Sequence, residues 1–310
     1  MNAPEFAIFS HPDCLLHEMG RNHPECPDRL PAIMDQLIAT GLDIHFLHME
    51  APLAEIEAIR RVHSRDYVER IIASSPESGH LWLDPDTAMN PHTLSAAMRA
   101  AGAVVSAVDH IVSGKIKSAF CNIRPPGHHA TRNRSMGFCI FNNVAIGAAH
   151  ALEHHGLERV AIVDFDVHHG NGTEDIFSDN PAVMMTSIFQ HPFYPFSGIE
   201  GRSKRMINIP LPAGSDGKAL REAVEKYWIP ALEAFMPEMI FFSAGFDAHR
   251  DDDMAGLNFV DADYAWMTLK IKEIADKHAN GRMISTLEGG YELHALGRAA
   301  AAHIRALAGL

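Results

Sequence analysis

The chain has 310 residues, 47% of them hydrophobic and 21% charged, which is the composition of a folded globular protein and excludes fibrous and disordered classes. Its 39 acidic residues against 26 basic ones give a net charge of −13, which argues against broad nucleic-acid binding through a basic surface. The four cysteines, Cys14, Cys26, Cys121 and Cys139, show no CxxC spacing, and neither a signal-type N-terminus in MNAPEFAIFSHPD nor a run long enough to span a membrane is present, so a cytoplasmic protein with no membrane partner is expected.

Taken in chain order, short apolar runs predict strands over Phe6–Ser10, Ser118–Ile123, Val160–Asp166, Val183–Phe189, Met239–Ala244 and Met283–Leu287. Helical spacing recurs between them, over Pro91–Val112, Asn142–His155, Gly217–Phe235 and Asp261–His278. No repeat and no long Pro/Gly/Ser linker interrupts the pattern, so one α/β domain over 1–310 is expected, with a parallel sheet covered by helices. Such sheets bind ligands beyond the carboxyl ends of their strands.

Four predicted strands run into polar clusters there. The Ser118 strand leads to Arg124-Pro-Pro-Gly127-His128-His129, the Val160 strand to Asp164-Phe-Asp166-Val-His168-His169-Gly-Asn171, the Met239 strand to Asp247, and the Met283 strand to Glu288-Gly289-Gly290-Tyr291. Asp166 and His168 stand two apart, and alternate residues of extended backbone point the same way. With Asp247 they make two carboxylates and one imidazole, a donor set for Zn²⁺ or Fe²⁺ that leaves a coordination position open for water. Adjacent side chains diverge, so His128 and His129 suit general bases better than ligands of one metal, with Asp164 and Asn171 available to orient them. The chain carries 21 histidines, so chance clusters are expected. His154-His155, ending a helix near no motif, is read as one, and His169 as packing or a hydrogen-bond partner.

Read together, MGRNHPECPDRL (19–30), RPPGHHA (124–130), GFCIFNN (137–143), VDFDVHHGNGT (163–173), SAGFDAHRDD (243–252) and LEGGY (287–291) resemble, in order and spacing, the zinc-dependent histone deacetylase family. The likeness covers nearly the whole chain and is to the bacterial, class II-like branch that includes acetylpolyamine amidohydrolases. It implies the arginase–deacetylase fold, with an eight-stranded parallel sheet flanked by helices. It implies one catalytic Zn²⁺ on Asp166, His168 and Asp247, catalytic roles for His128, His129 and Tyr291, and orienting roles for Asp164 and Asn171. It further implies Gly137, Phe138, Tyr194 and Asp86 around a narrow substrate tunnel, and a structural K⁺ held by Asp164, Ser187 and the backbone carbonyls of Asp166 and His168. The substrate implied is an acetylated lysine of a peptide or protein, or an acetylated polyamine, and an oligomer is compatible with it. Two other readings stand beside this one. Asp247-Ala-His249-Arg-Asp251 fits the Asp-x-His-x-Asp pattern of a dinuclear manganese ureohydrolase, and a non-catalytic acyl-lysine or polyamine binder would keep the same pocket.

Overall fold

The computed structural model describes residues 6–200 and 203–310; the first five residues, where the N-terminal reading begins, lie outside them. The strands in chain order are β1 (Phe6–Ser10), β2 (Leu47–Glu50), β3 (Leu81–Asp84), β4 (Thr87–Met89), β5 (Ser118–Cys121), β6 (Val160–Asp164), β7 (Val183–Gln190), β8 (Met206–Leu211), β9 (Met239–Ala244) and β10 (Met283–Leu287). Eight of them form one parallel sheet in the order β2-β1-β5-β10-β9-β6-β7-β8, and β3 and β4 pair as a separate antiparallel ribbon. Every residue of β5, β6, β7, β9 and β10 is buried. That is why their sequences read as unbroken apolar runs rather than alternating ones.

The four strands that end in polar clusters, β5, β10, β9 and β6, are consecutive neighbours in the sheet, so their carboxyl ends open onto one place. Two of them end earlier than the sequence predicts. β5 stops at Cys121, ahead of Pro125 and Pro126, which have no N–H to carry a ladder forward. β6 stops at Asp164 because side chains take over its hydrogen bonding: Asp164 Oδ1 accepts from the Asp166 amide at 3.2 Å, and Asp166 Oδ1 from the His168 amide at 2.9 Å. These local turns end the regular ladder, although the Phe165 amide still donates to the Ser243 carbonyl at 3.2 Å and the Val167 carbonyl accepts from the Gln190 amide at 2.8 Å. Asp166 and His168 therefore reach the site from a pair of turns, not from extended backbone.

The helices Thr93–Val112 and Asn143–Glu153 pack against each other, and Asn142 caps the second by accepting from the Ala145 amide at 3.1 Å. The helices Arg29–Ala39, Asp261–His278 and Leu293–Ala308 form another packed group. The single helix predicted over Gly217–Phe235 is helical throughout but widens to a π-turn at Val224–Trp228. Pro230, just beyond, lacks the N–H that would close the α-helical bond to Lys226, and the wider turn accommodates the gap.

Candidate active site

At the carboxyl ends of β6 and β9, the ligating atoms of Asp166, His168 and Asp247 lie within 4.8 Å of one another, all buried. His168 Nδ1 stands 3.0 Å from Asp166 Oδ1 and 3.2 Å from Asp247 Oδ2. The remaining oxygens are held by the backbone: the Val167 amide donates to Asp247 Oδ1 at 2.9 Å and the Gly289 amide to Asp166 Oδ2 at 2.8 Å. Asp247 Oδ2 is different, because it is buried and accepts no hydrogen bond. A buried carboxylate oxygen that faces only an imidazole and accepts no hydrogen bond is costly, and a cation between it and the other two ligands removes that cost. The donor set thus fits a divalent metal.

Gly289 shows how closely the backbone approaches this cluster. A Cβ there would lie 2.1 Å from Asp247 Oδ2 and 2.6 Å from Asp166 Oδ2, so no larger residue fits. Gly137 matters for conformation, with φ at +56° and a would-be Cβ 2.3 Å from the His129 ring. Phe138 follows it in the same left-handed region, at φ +68°. That strain is sustained by two side chains of the β3–β4 ribbon and its turn: Asp86 Oδ1 accepts from the Gly137 amide at 3.2 Å and Thr87 Oγ1 from the Phe138 amide at 3.0 Å. Asp86 is therefore a partner of the 137–138 turn.

His128 and His129 lie side by side, with ring centroids 4.0 Å apart, planes tilted by 43° and opposite environments. His128 Nδ1 lies 3.0 Å from Asp164 Oδ2 and its Nε2 3.7 Å from Asp166 Oδ2. Burial works against its charge, but Asp166 and Asp164 outweigh it and raise its pKa to about 10. His129 pairs instead with the uncharged Asn171 Oδ1, 2.7 Å from its Nδ1. Burial, then the charges on His128 and His168, hold it well below the usual histidine value. One imidazole of the pair is thus charged and the other neutral. Tyr291 is held well above its usual pKa, first by burial and then by Asp247, and keeps its proton.

His129, His168, Tyr291, Gly137, Phe138, Tyr194 and Asp86 line one cavity of about 180 Å³. Phe138 meets the Tyr291 ring edge-on at 5.9 Å, and Tyr194 meets His129 edge-on at 5.3 Å. Ser187 lies next to Asp164 in the β6–β7 register, and its buried hydroxyl has no hydrogen-bond partner. His169 lies behind the cluster, within 2.8 Å of Ser197 Oγ and of Glu174 Oε2. His249 turns to Asp261 at 3.1 Å, so the Asp-x-His-x-Asp run sends only Asp247 into the three-ligand group found among the described residues.

Several residues here escape a reading of the sequence. Phe193 and Met254 complete the cavity wall from loops, where a lone apolar residue gives no periodic signal. Glu288 accepts from the amides of Gly127 and His128 at 2.7 and 3.1 Å and so fixes the backbone beneath the histidine pair. Arg29 donates to the Gly290 carbonyl at 2.7 Å and lies 5.0 Å over the Tyr291 ring. Its guanidinium and that of Arg124 both pair with the one fully buried Glu25 carboxylate. Glu25, Arg29, Arg124 and Glu288 all fall inside the sequence motifs, and buried charges in motifs are the signal that could have found them.

A family model described as the histone deacetylase domain matches residues 23–307. Histone deacetylase 14, chloroplastic, of Arabidopsis thaliana is 38% identical over 97% of this chain and 76% of its own length. The histone deacetylase-like amidohydrolase of Pseudomonas aeruginosa is 35% identical over 87% of this chain and 72% of its own. The crystal structure of the HDA15 HD domain superposes with a TM-score of 0.93 at 33% identity, covering 99% of this chain and 89% of that one. With a matching domain model, relatives across kingdoms and a shared eight-stranded fold, this chain belongs to the histone deacetylase family.

Proposed function

We propose that this protein is a zinc-dependent amide hydrolase that removes acetyl groups from lysine side chains of proteins or from acetylated polyamines and other small amines. The observation that carries the proposal is the convergence of the buried Asp166–His168–Asp247 cluster with His129 and Tyr291 around one narrow aromatic cavity. Asp166, His168 and Asp247 would hold the metal, which when bound supplies Lewis acidity toward the acyl oxygen and lowers the pKa of water.

The protein's own groups account for the proton transfers. Neutral His129 keeps its proton on Nδ1, which donates to Asn171 Oδ1, and this leaves Nε2 free to take the proton of the attacking water. The same nitrogen returns that proton to the leaving amine, so amide and water become acetate and a free amine. His128, held charged by Asp164 and Asp166, supports the developing negative charge. The Tyr291 phenol, protonated and aimed into the cavity, donates to the oxyanion. Phe138 and Tyr194 form walls that admit a slender linear chain, and the half-buried Asp86 at the same cavity supplies a negative group for the substrate's backbone or cationic end. The unpartnered Ser187 hydroxyl, with Asp164 and the carbonyls of Asp166 and His168, suits a structural K⁺.

Turnover measured on acetyl-lysine peptides, acetylated polyamines and longer acyl-lysines tests the substrate class. Tyr291→Phe tests the chemistry: loss of one oxyanion donor lowers kcat about 10²–10³-fold while folding and zinc content stay near wild type. A Phe variant with near-normal turnover would overturn the role given to Tyr291.

A further inference from the structure

His154 and His155 read as a chance pair in the sequence, but the fold gives them company. His150, one helical turn before His154, and Asp109, from the neighbouring helix Thr93–Val112, complete a group whose ligating atoms lie within 4.8 Å of one another. None of the four lines the catalytic cavity. The geometry points to a second divalent-metal site on this protein, a structural Zn²⁺ site that ties the helix Thr93–Val112 to the end of the helix Asn143–Glu153.

The chemistry of the donors supports zinc. Three imidazoles and one carboxylate form a borderline N/O set, and four protein ligands close a tetrahedral shell, as structural sites do. His150 and His154 stand four apart, the spacing that brings two side chains onto one helix face. Asp109 Oδ1 is already a common focus, with His150 Nε2 and His155 Nε2 each 2.7 Å away. Zinc bonds of about 2.0–2.1 Å place tetrahedral donors roughly 3.3 Å apart, so the group need close by no more than about 1.5 Å. The His154 ring lies nearly flat over His150, with centroids 4.6 Å apart and planes at 12°, and it turns on edge to ligate. It is free to do so because it is exposed. The His150 side chain is only 7% exposed while that of Asp109 is 47% exposed, so the site has a buried floor and an open side for entry.

One neighbour opposes binding. Arg61 Nη1 lies 2.9 Å from His150 Nδ1. A neutral His150 that ligates through Nε2 carries its proton on Nδ1 and cannot accept from a guanidinium. Arg61 must then release His150, and Glu153 Oε2, 3.6 Å from Arg61 Nε, is positioned to receive it. Arg61 thus sets the affinity of the site, and Arg61→Gln, which offers an amide oxygen to Nδ1–H, tightens it.

The test is zinc titration of the full-length holoenzyme, followed by calorimetry and metal analysis. Wild type takes up one zinc equivalent beyond that of the Asp166–His168–Asp247 cluster. Asp109→Asn and His155→Ala weaken that extra binding at least about tenfold, the loss expected even for groups that only support a ligand, and leave deacetylation turnover unchanged. Asp247→Ala keeps the extra equivalent while losing the other, so this proposal and the active-site reading fail independently. The proposal is overturned if wild type takes up no extra equivalent at micromolar free zinc, if Asp109→Asn and His155→Ala retain it, or if Arg61→Gln weakens it.

Discussion

At the scale of single residues, the histidine pair shows how two identical side chains in adjacent positions are given different protonation states. His128 faces two carboxylates, and His129 faces an amide and two positive neighbours. Burial and the charges of His128 and His168 keep the second imidazole neutral, and Asn171 Oδ1 accepts from its Nδ1 without bringing a charge that would reverse this. Asn171→Asp places a carboxylate 2.7 Å from that nitrogen, and an opposite charge at such range raises a histidine pKa by about 1–3 units. The sign of the consequence is fixed. As the proposed base, His129 is active only when neutral, so a higher pKa leaves less neutral imidazole on the acid side, and the acid limb of kcat/KM moves up by about 1–3 pH units. Profiles of the two proteins over the same pH range measure it. Superimposable acid limbs would show that another group sets the limb.

At the scale of elements, the legibility of the sequence followed burial. β5, β6, β7, β9 and β10, covered on both faces, were visible as continuous apolar runs, whereas the edge strands β2 and β8 were not. β2 reads Leu-His-Met-Glu and is largely exposed, and β8 carries Pro210, which a sheet tolerates only at its edge. A buried polar connection between elements was equally hidden. His303, on the helix Leu293–Ala308, reaches Thr268 Oγ1 on the helix Asp261–His278 at 2.6 Å and Ser285 Oγ on β10 at 2.8 Å. The Thr268 hydroxyl donates to the Tyr264 carbonyl, so His303 donates from Nδ1 and accepts from Ser285 at Nε2. The ring is neutral, and burial pushes its pKa down to about 3. Unfolded, the same histidine titrates near pH 6.5. Between those values the unfolded chain binds a proton that the native one does not, so stability present above about pH 6.5 is lost as pH falls, by up to about 1.4 kcal/mol per unit for this group. His303→Gln removes the titration, and its stability, measured by urea unfolding between about pH 6.5 and 4, falls less steeply by one proton. Parallel curves for the two proteins would mean that His303 is charged in the native state.

At the scale of the whole molecule, the site exists because four neighbouring strands end together, and the order of the motifs along the chain already carried that information. What it did not carry was which charges the fold would bury uncompensated. Asp166 and His168 from one segment meet Asp247 from another, 79 residues further on, in a place with little solvent, where two carboxylates share one imidazole. Burial, and next the charge of Asp166, raise the Asp247 carboxyl to about 6, which expresses that conflict. A ligand that binds only the folded chain relieves it and stabilises by RT ln(1 + [L]/Kd), about 2.7 kcal/mol when free metal exceeds Kd a hundredfold. For a chain of this size, at roughly 2 °C per kcal/mol, chelation should lower the thermal midpoint by about 5 °C. Asp109→Asn serves as the background, because it silences the second site proposed above and leaves the active cluster intact. In that background, Asp247→Ala removes the buried carboxylate and, with it, one ligand of the proposed metal. The midpoint of the double variant should therefore be indifferent to zinc and chelator, and the single variant should regain its loss on zinc addition. If the double variant still responds to zinc as fully as Asp109→Asn alone, the ion that stabilises the fold is not bound by Asp247.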